Sequence, residues 1–251
     1  RAAHPTGVPY GTIDHGRLVR ELAIVDGELV LAEGNVQTAE SLLIARALMN
    51  PTVYNHHVAR ISKSMLRRAA ERLLAATDVT APELRRMDDH DLHAALRRTP
   101  DTAGLAERIA HRDLYKRGVW AEMADVPDDL LDADHEALRE LEADVAEAAG
   151  ADPDHVVLDV PARPSMRESS ARVLVGGEVR RLEEQSAIVE ALRTAQREQW
   201  RLGVYTTAEL VEAVGHAAEA TLGLSTDGRR ISERRGRFVP LDEFEADGGG
   251  G

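Results

Sequence analysis

The sequence predicts a mainly α protein whose C-terminal part is α+β with short hairpins. Helical periodicity runs almost unbroken from about Val36 to Ala76, with Ile61, Met65, Ala69 and Leu73 recurring at a helix repeat. Well-signalled short helices follow. Beyond Leu114 the pattern changes to brief β-rich runs, LYKRGVWAEM, HVVLDVP, RVLVGGEVRRL and WRLGVYT, alternating with helical stretches. A chain of 251 residues can bury a sizeable core, as one domain or as a domain with appendages.

In order, Arg1 to Thr12 is a Gly- and Pro-rich loop, and Asp14 to Ala23 reads as a helix with Leu18, Val19 and Leu22 on its apolar side. IVDGELVLAEGN reads as a hairpin turning at Asp26-Gly27. A helix from Val36 to Met49 follows, with Asn35 as N-cap and Arg46 in its last turn. Asn50-Pro51 is expected to break it and start a second helix, capped by Asn50 and running to Ala76, because proline suits a first helical turn. Tyr54, Asn55, His56 and His57 then fall in its first turns. Val58 joins the apolar stripe, while Arg60, Lys63, Arg67, Arg68 and Arg72 read as a solvated basic face.

Short helices are expected from Thr80, from Asp89 to Arg97 and from Asp101 to Ala110. Pro127 to Gly150 reads as an acidic helix and Gly176-Gly177 as a hairpin turn. Ser186 to Gln199 is again helical, and Thr207 caps a helix to about Leu222. From Ser225 the charged, Gly-rich composition suggests disorder. The organisation expected is 1–98, 99–222 and a tail of 223–251.

The balance is acidic: 31 basic against 44 acidic residues give a net charge of -13. That field disfavours nucleic-acid backbones as partners. There are no cysteines, which removes disulfides and thiolate metal sites. No apolar run is long enough to cross a bilayer and no signal peptide opens the chain, so a cytoplasmic protein is expected. The opening RAAHPTGVPYG reads like the middle of a longer sequence.

The chemistry concentrates on Thr38 to Met65, where one arginine, one phenol, an amide and two imidazoles meet at a helix junction. Arg46 reads either as a residue satisfying helix-terminal carbonyls or as a bidentate clamp on phosphate oxygens. Tyr54 is either a core aromatic or a ligand contact. His56 and His57, expected about 100° apart on a helix, make a poor metal pair. His90-Asp91 reads as part of a capped amphipathic helix rather than a metal site. GxSxG, GxxxxGK[ST] and GxGxxG motifs are absent.

GVPYGTIDHGRLVREL, LLIARALMNPTVYNHHVARISKSML, DLYKRGVW, VVLDVPARPS and ALRTAQREQWRLGVY occur here in the order in which one family has them. Over about Arg1 to Leu222 the chain resembles the HD-superfamily phosphohydrolases of the deoxyguanosine-triphosphatase type, which include the vertebrate SAM-and-HD-domain dNTP triphosphohydrolase. The resemblance implies that 1–98 is the remainder of a helical HD domain and 99–222 an α+β C-terminal domain. It implies a metal-dependent release of triphosphate from deoxynucleotides, with Arg46 on the triphosphate, Tyr54 on the deoxyribose and Asn55, where the vertebrate enzyme has glutamine, near the sugar.

The family's His, His-Asp and Asp metal ligands correspond to sequence upstream of Arg1. No catalytic or metal-binding residue is therefore expected in this chain, and the divalent metal would be held by upstream ligands. Ala2 stands where the family often has an aspartate. The resemblance also implies a homo-oligomer without membrane or nucleic-acid partners. The alternative is a non-catalytic nucleotide-binding or oligomerisation module that partners a separate HD half.

Lys63 and Lys116 are the only lysines, and this acid-rich, lysine-poor composition suits a protein working in concentrated salt. Molar salt is accordingly expected to raise the thermal midpoint; a melting curve indifferent to salt would count against it.

Overall fold

The computed structural model describes residues 15–166 and 170–225. Helix α1 (His15–Arg20) leads into strands β1 (Leu22–Val25) and β2 (Glu28–Ala32), followed by the long helices α2 (Val36–Met49) and α3 (His57–Ala76). Three shorter helices come next, α4 (Ala81–Leu84), α5 (Asp89–Arg98) and α6 (Pro100–Ala110). Strand β3 (Lys116–Glu122) precedes α7 (Asp128–Leu131), α8 (His135–Ala149) and β4 (Val157–Asp159). The remainder is β5 (Arg172–Val175), β6 (Glu178–Arg181), α9 (Leu182–Gln185), α10 (Ala187–Glu198), β7 (Arg201–Thr206) and α11 (Val211–Thr221). The fold is mainly α with an α+β C-terminal region, as the periodicities imply.

Both hairpin turns form for a local reason. Asp26-Gly27 and Gly176-Gly177 each place two consecutive residues at positive φ, which matches the twist of the flanking strands. The two hairpins do not stand apart, however. They join through a parallel β2–β5 pairing into one sheet of order β1-β2-β5-β6. Leu31 and Val173 on this sheet bury against Ala39 and Leu43 of α2 and Val189 of α10. A second sheet, β3-β7-β4, is antiparallel and packs against α8 and α11. Gly118 of β3 and Gly215 of α11 let those elements touch backbone to backbone: a Cβ on Gly215 would lie 2.9 Å from the Gly118 carbonyl oxygen.

Helix α3 packs against the second sheet and the short helices α5 and α6. Ile61, Met65, Ala69 and Leu73 form one core with Leu96 and Leu105 from α5 and α6, and with Val157 and Tyr205 from the second sheet. Val58, expected in this stripe, is 45% exposed because it precedes the point where α3 meets its neighbours. The basic face departs furthest from expectation. Lys63 and Arg67 are exposed, but Arg60 and Arg68 are each 8% exposed and sit in ion pairs. Arg60, Ser64 and Arg68, four residues apart, form a buried row beside the apolar stripe, so the solvated reading fails for these two arginines.

Other boundaries moved for identifiable reasons. Helix α1 ends at Arg20, since Leu22 is recruited to β1 by pairing with Leu31. The acidic stretch 127–150 forms two helices because Asp134 caps α8 through the Ala137 N–H at 2.9 Å. Asn35 and Thr207 occupy helix-start positions without a side-chain cap bond. The tail from residue 226 lies outside the described residues. No helix among the described residues is long and apolar enough to cross a membrane.

Glu142 of α8 ties α3 to the second sheet. It is 2% exposed; Oε1 accepts the Leu158 N–H at 2.7 Å, while Oε2 pairs with Arg139 at 2.6 Å and with Arg68 of α3. Burial pushes its carboxyl above the ordinary range, opposed by Arg68, the Leu158 N–H and Arg139. Removing Glu142 leaves the buried Arg68, the half-buried Arg139 and a strand N–H without this acceptor. Glu142→Ala is therefore expected to lower the unfolding free energy by about 3–5 kcal/mol, read as a reduced urea midpoint with unchanged slope.

Candidate functional site

The corner between α2 and α3 is not a simple break. Asn50 continues α2 with helical dihedrals, and the chain widens into a π-type turn over Asn50–Tyr54. The Asn55 N–H closes that turn on the Asn50 carbonyl at 2.6 Å. This corrects the expectation that Asn50 caps a helix beginning at Pro51. Proline has no N–H to give and crowds the preceding turn, and one widened turn absorbs both defects. The bend falls at Asn55 and His56, and α3 starts at His57. Lys63 Nζ fastens the turn by donating to the Tyr54 carbonyl at 3.0 Å, and Thr52 Oγ1 donates to the Leu48 carbonyl at 2.7 Å.

Beneath this corner lies a cavity of about 390 Å³. Arg46 and Asn50 reach it from α2 and the turn, and Asn55, His56, His57 and Arg60 from the bend and α3. Arg117 and Trp120 enter from β3, Gln196 and Gln199 from the end of α10, and Trp200 and Arg201 from the start of β7. The segment from Pro161 to Met166 closes another side. Four guanidinium groups and two imidazoles thus line the cavity with no carboxylate among the described lining residues, in a chain of net charge -13. Tyr54 is placed differently from Arg46 and Asn55: it is 45% exposed and outside the lining. His56 is extended rather than helical, which stacks the two imidazoles 4.3 Å apart at 37°. Among the described residues no group of three or more His, Cys, Asp or Glu side chains is arranged to hold a metal ion. His90 and Asp91 are exposed on α5, where Asp88 caps the Asp91 N–H at 2.8 Å.

The floor is built by Arg60. Its Nε donates to Asp159 Oδ2 at 2.8 Å, its Nη2 to the Asp159 carbonyl at 3.2 Å and its Nη1 to the Arg201 carbonyl at 2.8 Å. The guanidinium lies 4.6 Å from the centre of the Trp120 ring, and Arg117 approaches the same ring at 5.5 Å. Tyr205, fully buried, donates its hydroxyl to Asp159 Oδ2 at 3.0 Å. Burial raises the phenol far above its ordinary value, and the facing Asp159 carboxylate pushes the same way, so Tyr205 remains a donor. The 161–166 wall is pinned at two points. Trp200 Nε1 donates to the Pro161 carbonyl at 3.0 Å, and Arg163 donates to Asp132 at 2.9 and 3.0 Å and to Asp128 at 3.1 Å.

Sequence reasoning missed Arg60, Arg117, Trp120 and Arg201, whose meeting depends on contacts between distant segments. One signal was present: Arg60 and Arg68 are eight residues apart, with Ser64 between them, directly beside an apolar stripe, so they point along the edge of the buried face rather than away from it.

The model of the family described as the HD associated region matches residues 13–233. The chain belongs to that family. It is also similar to an uncharacterized protein from Methanocaldococcus jannaschii, at 28% identity over 220 residues, covering 84% of this chain and 48% of that protein. Among solved structures, a phosphohydrolase from Bacteroides thetaiotaomicron superposes with a TM-score of 0.56 at 19% identity, covering 82% of this chain and 59% of the other. A hypothetical protein from Aquifex aeolicus superposes with a TM-score of 0.60 at 22% identity, covering 86% and 54%. These likenesses establish a shared fold. This HD-associated region spans about half the length of the M. jannaschii relative.

Gly203 keeps the floor in place. A Cβ there would fall 2.4 Å from the Tyr205 hydroxyl and 2.5 Å from its ring. Gly203→Ala is expected to displace the phenol from Asp159 and to destabilise the fold by about 1–3 kcal/mol. Thermal melting and a changed near-ultraviolet dichroism of the aromatic cluster are the checks.

Proposed function

We propose that this chain is the substrate-facing and C-terminal portion of an HD-type phosphohydrolase acting on deoxynucleoside triphosphates. The observation that carries the reading is the cavity itself: arginines and imidazoles with no carboxylate among the described lining residues, in an otherwise acidic chain. Such a lining favours a multiply charged anion through charge-assisted hydrogen bonds, and about 390 Å³ lies within the range of small-ligand sites. Arg46 is the proposed phosphate contact, and Asn55 the proposed sugar contact at the same opening. Tyr54, half-exposed beside them, reaches a sugar only if ligand or a further segment draws it inward.

No hydrolytic step is assigned to the described residues, among which no group of three or more His, Cys, Asp or Glu side chains is arranged to hold a metal ion. On this reading the divalent ion and the attacking water belong to another part of the phosphohydrolase, and this region binds and orients the nucleotide. A second reading, a non-catalytic oligomerisation module, draws on Val19, Ile24 and Leu29, which are 66%, 76% and 63% exposed near the first hairpin.

Calorimetric titration with dGTP tests the first reading. Binding is expected for the chain, and Arg46→Ala is expected to weaken it about tenfold to a hundredfold through loss of charged hydrogen bonds. Equal affinity in the variant removes the clamp role. Sedimentation of the chain with and without dGTP tests the second: ligand-free self-association with no nucleotide binding would favour it.

A further inference from the structure

The structure assigns Asp159 a role that the cavity lining does not reveal: a charge-setting, positioning residue that decides how strongly the pocket attracts an anion. The assignment rests on reading the cavity as an anion site. Asp159 stands behind Arg60, outside the lining, and its side chain is 13% exposed. One of its oxygens, Oδ2, faces Arg60 Nε at 2.8 Å, Arg60 Nη2 at 2.8 Å and the Tyr205 hydroxyl at 3.0 Å. Its backbone carbonyl takes a further Arg60 contact at 3.2 Å.

Arg60 is therefore a lining cation whose charge is compensated from within the fold. With its remaining hydrogen bond on the Arg201 carbonyl and its face against Trp120, its guanidinium is orientated by the protein rather than by a ligand. Arg201 is similarly engaged, donating to Glu122 at 2.8 Å and to the Trp200 carbonyl at 2.7 Å. The Arg60–Asp159 and Arg201–Glu122 pairs bring the floor close to neutral, which limits how strongly it draws an anion.

Because a buried charge acts at low effective dielectric, removing the Asp159 charge alone exposes the ligand to the full field of Arg60. Asp159→Asn retains the size and most of the hydrogen-bonding shape of the side chain. The expected result, with inorganic triphosphate as probe, is affinity raised about threefold to tenfold at low salt, with the gain shrinking as salt screens the field. Arg60→Gln leaves Asp159 uncompensated beside the pocket and is expected to weaken triphosphate binding about tenfold, a deficit that also shrinks with salt. The double variant removes both charges and returns affinity to within about threefold of the parent, a coupling that defines the pair.

A merely structural role gives the opposite pattern, weakening in all three variants with no narrowing of the differences at high salt. Triphosphate binding by the parent with Asp159→Asn no tighter overturns this assignment alone. No triphosphate binding by either protein overturns the reading of the cavity as an anion site and this assignment with it. If Asp159→Asn does not fold, as judged by dichroism, the double variant is compared with Arg60→Gln: triphosphate affinity restored toward the parent supports the assignment, and affinity no higher than that of Arg60→Gln overturns it.

Discussion

The arrangement depends most on the buried pairing of Arg60 with Asp159. A guanidinium removed from water is tolerated only if its charge is matched and its donors are placed. Here the match comes from β4, a further acceptor from the start of β7, and a π face from β3. All three strands must be assembled before Arg60 can be buried, so α3 docks on the second sheet in one orientation. The same contact forms the cavity floor, and the structural constraint and the candidate site thus share a residue.

Two helical turns further along α3, Arg68 repeats the device with Glu142. Buried ion pairs are weak sources of net stability, because desolvation offsets most of their attraction. Their value lies in discrimination: a helix shifted by one residue would bury two unpaired cations. Apolar contacts from Ile61 to Leu73 supply the driving force for docking α3, and the two arginines select its register. This explains how a strongly acidic chain places cations in its interior without a general excess of positive charge.

The candidate site sits where this spine meets the bend after α2. A proline in mid-helix is absorbed by a widened turn, which delivers Asn55 and the two stacked imidazoles to the mouth of a cavity already lined by Arg46. The opposite wall is supplied by the 161–166 segment, held through Trp200 and Arg163. The chain belongs to the HD-associated region family and shares its fold with the B. thetaiotaomicron phosphohydrolase structure.

By itself the sequence determined what depends on neighbours along the chain. The hairpin turns at Asp26-Gly27 and Gly176-Gly177, the extent of α2, the helices capped at Thr80 and Asp88 and the apolar stripe of α3 are written in short-range pattern, because turn sterics, capping and helical period act over a few residues. Arg46, Tyr54 and Asn55 are read from one short stretch, and of these Arg46 and Asn55 line the cavity. Only the tertiary structure decided the rest: the joining of two hairpins into one sheet, the burial of Arg60 and Arg68, the widened turn at Pro51 and the meeting of Arg46 with Arg117, Trp120 and Arg201. In each, the free energy of a side chain is set by a partner far away in sequence. An arginine on a helix reads the same whether water or a carboxylate 99 residues distant receives its proton donors.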